Sequence, residues 1–120
     1  KLNPNNSFVL NNYAYYLSLE GQQLDIAAEM ALRAVETDPN GNNLDTYGWV
    51  LYQLGDFEQA KKYIQQSINA TEEPSAVVLE HLGDVYFKLD DIKSAKSNWK
   101  KAKKAGGDSE ILMKKLKDEQ

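Results

Sequence analysis

At 120 residues and a net charge of −4, the chain has enough sequence for one domain. Its 42% hydrophobic and 27% charged composition belongs to a folded globular protein, not a disordered one. It has no cysteine, which excludes disulfides, thiolate chemistry and cysteine-ligated zinc, and no apolar run approaches the roughly 18 residues of a membrane span.

The chain begins on "KLNPNN", and its three prolines, Pro4, Pro39 and Pro74, stand 35 residues apart. Proline shortly after a helical run marks that helix's stop, so residues 1–6 read as the end of a truncated upstream repeat. Three related segments follow. "LNNYAYYL", "LDTYGWVL" and "LEHLGDVY" begin at Leu10, Leu44 and Leu79. Each has a large residue at the start, a large one three on, a small one four on and a large one seven on. Those offsets place Leu10, Tyr13, Ala14 and Leu17 on one helical stripe, and likewise Leu44, Tyr47, Gly48 and Leu51, then Leu79, Leu82, Gly83 and Tyr86. The small residue lets a neighbouring helix come close.

Each first helix ends in a turn signal, "LEGQQ", "LGDF" or "LDDI", and a second helix follows. Its stripe is Ala27, Ala31 and Ala34, then Ala60, Ile64 and Ser67, then Ala95, Trp99 and Ala102. Leu24, Phe57 and Ile92 extend these stripes. The second helices stop at "TDPNG", "NATEEPS" and "KAGGDS". The units fall at 7–41, 42–74 and 75–107. The first has one extra residue before Ala27 and Ala31 where a bulky residue is expected, which predicts a longer inter-helix turn and looser packing there. A last segment, 108–120, predicts a helix over 109–118, capped by Asp108 or Ser109, with Ile111, Leu112 and Leu116 as its apolar side. With nothing over the other end, Phe8, Tyr16 and Leu19 are expected to form an apolar N-terminal face.

The three in-phase copies resemble the tetratricopeptide repeat family, whose signature is large-x2-large-small-x2-large, a short Gly/Asp turn, A-x3-large and a closing proline in about 34 residues. "LGDFEQA" (Leu54–Ala60) and "LEHLGDVYFKLDDIKSA" (Leu79–Ala95) carry the likeness most closely. The resemblance implies an all-α, right-handed α-solenoid of three helix-turn-helix units with a C-terminal capping helix that shields the last repeat. It also implies a concave groove lined by first helices. The groove stripe begins one residue after the first large one: Asn11, Tyr15 and Ser18; Asp45, Trp49 and Tyr52; Glu80, Asp84 and Phe87. Aromatic residues suit a binding surface, and carboxylates select Lys or Arg on a ligand. The expectation is a scaffold whose groove, with Asn11, Tyr15, Asp45, Trp49, Tyr52, Glu80, Asp84 and Phe87 as its site residues, holds a protein or a basic peptide. The alternative is a structural spacer with a vacant groove, for which Trp49 and Phe87 would be buried. Some relatives clamp a chaperone's terminal carboxylate with groove Lys and Asn residues; the acidic residues here argue against that. The N-terminal face is a surface for self-association. The likeness to bacterial members, several of which sit in the cell envelope, leans the localisation towards envelope or periplasm, with the cytoplasm as the other option.

No catalytic constellation assembles. The single histidine, His81, lacks the second His of an H-E-x-x-H site, and no nucleophile, base and orienter can be grouped; the reading is no enzyme, no metal and no cofactor, with His81 a surface residue. Charge is uneven: residues 1–91 carry 5 Lys/Arg against 14 Asp/Glu, net −9, and residues 92–120 carry 9 Lys against 4 Asp/Glu, net +5. The basic run from Lys93 to Lys104 places its lysines away from Ala95, Trp99 and Ala102, as a solvated face does. It has no arginine and no groove-reading motif, so neither nucleic acid nor membrane insertion is expected. Asn5 and Asn69 match the glycosylation acceptor pattern, which is common by chance.

Overall fold

A computed structural model describes residues 6–118, which form seven helices and no strand. They are α1 Ser7–Glu20, α2 Leu24–Thr37, α3 Gly41–Gln53, α4 Phe57–Asn69, α5 Ala76–Lys88, α6 Ile92–Lys104 and α7 Glu110–Asp118. Pro4 and the rest of residues 1–5 lie outside the described residues. Helices pair as antiparallel hairpins α1–α2, α3–α4 and α5–α6, each second helix packs on the next first helix, and first helices touch along α1–α3 and α3–α5. The result is an elongated body of 49 × 29 × 24 Å, an all-α solenoid.

The repeat is written into the caps. Asn6, Asn40 and Ser75 each accept a hydrogen bond from the backbone N–H three residues on, in Val9, Asn43 and Val78, satisfying one orphan donor of each first helix. Each stands four residues before Leu10, Leu44 or Leu79. Ser109 does the same for Leu112, four residues before Met113. The short α7 is therefore a first helix in register with the others.

Each first helix closes in the same way. Gly21 N–H donates to Ser18 O and Gln22 N–H to Leu17 O; Gly55 and Asp56 bond Tyr52 and Leu51, and Asp90 and Asp91 bond Phe87 and Tyr86. These are paired terminal bonds around one left-handed residue, with φ of 65°, 88° and 67° at Gly21, Gly55 and Asp90. In the second and third hairpins the next residue, Asp56 or Asp91, directly caps the second helix through its carboxylate. The first hairpin has its extra residue here. The longer turn expected there is not found: the links 21–23, 54–56 and 89–91 are equal in length. The extra residue instead sets Gly21 one position further from α2, where Gln23 caps the helix in a left-handed conformation (φ 50°) with no side-chain bond. A β-carbon in that conformation costs about 1–2 kcal/mol, less for Asp, which bonds locally. Asp90→Gly is therefore expected to raise stability by about 0.5 kcal/mol, seen as a higher urea midpoint at unchanged m; a lower midpoint contradicts it.

Three core clusters repeat along the body, each made by one hairpin and the next first helix. Ala14, Leu17, Ala27 and Ala31 are closed by Val50; Leu51, Ala60 and Ile64 by Leu82 and Val85; Leu79, Ala95, Trp99 and Ala102 by Leu112. The last cluster is where α7 covers the third hairpin. Within hairpins the contact trades bulk between partners. A β-carbon on Gly48 would lie 2.5 Å from Ile64 Cγ1, and one on Gly83 would lie 2.4 Å from Trp99 Cδ1. In the first hairpin Ala14 has the methyl and Ala31 the small partner, both fully buried. There the first-helix residue is larger than the glycine of the other two hairpins, and the second-helix residue is smaller than their Ile64 or Trp99.

At the other end, Phe8, Tyr16 and Leu19 are exposed. Val50 and Val85 hold the position of Tyr16 in the next two first helices and are completely buried. The apolar N-terminal face is present as expected.

Candidate ligand-binding face

The first helices bring their groove stripes onto one side of the body, but the stripe residues differ sharply in surroundings. In α1, Asn11 is only 3% exposed and its Oδ1 has no hydrogen-bond partner. Ser18 is buried; its hydroxyl donates to Tyr15 O at 2.6 Å, while Gln53 Nε2 donates to Ser18 O at 2.9 Å. Tyr15 stands out, 45% exposed.

In α3, Trp49 is the middle of a stack. Tyr52 lies on one side at 4.5 Å and 8° between planes, and the His81 ring lies at 3.8 Å and 13°. Tyr52 also meets the edge of Phe57. Burial, then the nearby Asp84 charge, push the Tyr52 hydroxyl above the usual phenol range, with Lys115 opposing. His81 Nδ1 lies 3.0 Å from Asp45 Oδ1, and both side chains are largely covered. The reading of His81 as a surface residue is therefore corrected. It sits six residues after its cap, on the side of α5 that faces α3, where stacking and a carboxylate both hold it.

The same position in α7 is Lys115. Its Nζ lies 2.6 Å from Glu80 Oε2 and 2.8 Å from Asp84 Oδ1. Asp84 Oδ1 also accepts from Trp99 Nε1 at 3.0 Å. Burial pushes the Asp84 carboxyl up from the usual range, with the Lys115 and Trp99 hydrogen bonds pulling the other way. Burial alone would lower Lys115, but its bonds to Asp84 and Glu80 outweigh it and hold the amine above its usual value. Phe87, 40% exposed, leans on Trp99 at 5.8 Å between ring centres.

The three groove carboxylates are thus held by the chain itself: Asp45 by the next first helix, and Glu80 and Asp84 by the one after. Sequence reasoning placed the carboxylates and aromatics on one face but missed Lys115, His81 and Trp99 as their partners. The available signal was the 34-residue spacing between Ser75 and Ser109, which puts His81 and Lys115 at one register position.

Two clefts open on this face. The first, about 630 Å³, lies between α1, α3 and the start of α5, and includes Asn11, Tyr15, Asp45, Thr46, Glu73 and His81. The second, about 530 Å³, has Tyr52, Phe87, Trp99 and Ile111 in its wall, with Lys88, Lys114 and Lys115 against Asp84 and Asp118. Tyr15 belongs to one and Phe87 to the other. Elsewhere, the lysines of α6 lie on the side away from fully buried Ala95 and Ala102. Among the described residues, no three or more His, Asp or Glu gather as a metal site, and no helix is long and apolar enough to cross a membrane.

Hairpins in register, a small residue at each hairpin contact and first helices sharing one face define a helical-repeat scaffold. The tetratricopeptide repeat family model matches residues 44–74. A TPR repeat-containing protein of Pseudomonas aeruginosa, PA4667, is 30% identical over 82 residues, covering 68% of this chain and 14% of the relative. The chain thus spans about a seventh of that relative's length. The first TPR domain of human RPAP3 superimposes with a TM-score of 0.86 at 15% identity, over 98% of this chain and 91% of that one. The first TPR of Spaghetti (RPAP3), bound to the HSP90 peptide SRMEEVD, gives 0.86 at 14% identity, over 98% and 93%. The chain belongs to the tetratricopeptide repeat family.

Proposed function

We propose that the chain is a protein-interaction module that lays a peptide or partner segment across the first-helix face, as part of a larger repeat protein. The observation that carries this is the pair of clefts on one face, each with an exposed aromatic side chain, Tyr15 in one and Phe87 in the other. Aromatic rings left in water beside a cleft are suited to anchoring a ligand, since they supply large contact area at small entropic cost. The peptide held by the Spaghetti TPR shows that such a scaffold can serve a bound segment. A vacant spacer has no need of these two exposed rings. The module is read as binding without a catalytic step, with Tyr15 and Phe87 as anchors, and with Trp49 and Tyr52 as the stacked wall behind them. The apolar face of Phe8, Tyr16 and Leu19 is a second surface, suited to another hairpin or a second copy.

The test is selection of peptides from a random displayed library on the full chain, followed by titration of the winners against a Tyr15→Ala, Phe87→Ala double variant. Both side chains are about half exposed and Phe87 also leans on Trp99, so some loss of melting temperature is expected and affinity is compared well below the double variant's transition. Affinity is expected to fall about tenfold or more, roughly 1.4 kcal/mol. Undiminished binding sinks the assignment.

A further inference from the structure

We infer that the first cleft takes a cationic side chain, arginine before lysine, from the bound segment; this rests on the interaction-module reading and specifies its ligand. Two observations converge. Asn11 Oδ1 is an acceptor without a partner, on a side chain 97% buried in the cleft's wall. An unpaired buried acceptor is costly; the Oδ1 itself is closed off from the cleft, and a ligand donor relieves that cost once the Asn11 amide turns outward. Second, the cleft holds two carboxylates, Asp45 and Glu73, and no lysine or arginine; its one basic group, His81, is already bonded to Asp45. Helix ends do not set the sign: the end of α4 borders the cleft through Ser67, Ala70 and Thr71, and the starts of α3 and α5 border it through Gly41, Asn42, Ser75 and Val77, so opposite dipole ends meet there.

The assignment is particular to this cleft. The second one has three lysines, two of which, Lys88 and Lys114, make no ion pair among the described residues. A guanidinium suits the first cleft better than an ammonium. Its flat fork can donate to Asn11 and Asp45 while its face lies on the exposed Tyr15 ring. Asp45 keeps its Oδ1 for His81 and has Oδ2 for the ligand.

The test uses four decapeptide pools, randomised except for a central Arg, Lys, Gln or Glu, passed over the immobilised full chain. The Arg pool is expected to be retained about tenfold over the Glu pool, with Lys between them. Asp45→Asn, which keeps an acceptor for His81, is expected to cut that ratio to about threefold or less, and so is Asn11→Leu. Asp25→Asn, on the exposed side of α2, serves as the charge-matched control and is expected to leave the ratio unchanged. Equal retention of all pools, preference for Glu, or an Arg preference that survives Asp45→Asn overturns the inference and leaves the interaction-module reading standing. Retention of no pool overturns both.

Discussion

Gly83→Val is expected to destabilise the chain by about 3 kcal/mol or more, the upper range for forcing extra carbon into a packed core. The first atom added, the β-carbon, already falls 2.4 Å from Trp99 Cδ1, 2.5 Å from Trp99 Nε1 and 3.1 Å from the Ala95 carbonyl oxygen. Trp99 cannot yield. It is almost fully buried, its ring meets Phe87, and its N–H is bonded to Asp84. Shifting it would break that bond and leave Asp84 with less to oppose its burial. Gly83→Ala is milder, because replacing a mid-helix glycine by alanine returns up to about 1 kcal/mol of helix propensity. Gly48→Ala is milder still: its clash is with Ile64 Cγ1 at 2.5 Å, and Gly48→Ala with Ile64→Ala should cost less than the sum of the two alone. That double variant copies the first hairpin, where Ala14 faces Ala31. Urea unfolding of the five variants, Ile64→Ala alone included, checks the order; equal losses at both glycines, or full additivity of Gly48→Ala with Ile64→Ala, contradict it.

Much of this architecture was legible because it depends on local periodicity. The stripe offsets of 3, 4 and 7, the small residue at each hairpin contact and the glycine or aspartate turn are all set within about 34 residues. The clusters they form follow the same period. The extra residue of the first unit was legible, but not its effect: the inter-helix link stays three residues long, and only the distance from Gly21 to α2 grows. What escaped was reach between repeats. Periodicity puts Glu80 and Asp84 on an outward face, but it does not show that a lysine 35 and 31 residues on, in α7, bends back onto both. The same blind spot made His81 look solvated, although Trp49 and Asp45 lie across from it. Asn11 is the opposite case. It shares a register position with Asp45 and Glu80, yet is buried with its Oδ1 unpaired. Stripe position gives direction, and the neighbouring first helix decides depth.

Lys115→Met is expected to cost about 1–3 kcal/mol at pH 7. That lies between an exposed ion pair and a fully buried one, as fits a lysine and two carboxylates that are each mostly but not wholly covered. The methionine keeps the stem's packing and removes the charge, so the loss measures two carboxylates left side by side without a cation. Adding Glu80→Gln and Asp84→Asn is expected to recover most of it, since unpaired charges are what the single variant creates. Lys115→Arg should retain much of the stability by keeping the charge. The pH dependence has a definite sign. The folded chain holds the Lys115 amine above its ordinary value of 10.5, so its contribution is complete below that pH and is lost as pH rises through the higher folded value. Asp84 is shifted up as well, so its charged form weighs against folding once pH passes the carboxylate range, and Lys115 is what offsets it there. The wild type should therefore lose more stability than Lys115→Met on going from pH 9 to beyond pH 10.5. Parallel stability curves for the two chains across that interval, or a Lys115→Met variant as stable as wild type at pH 7, would refute the claim that α7 is fastened to α5 through this lysine.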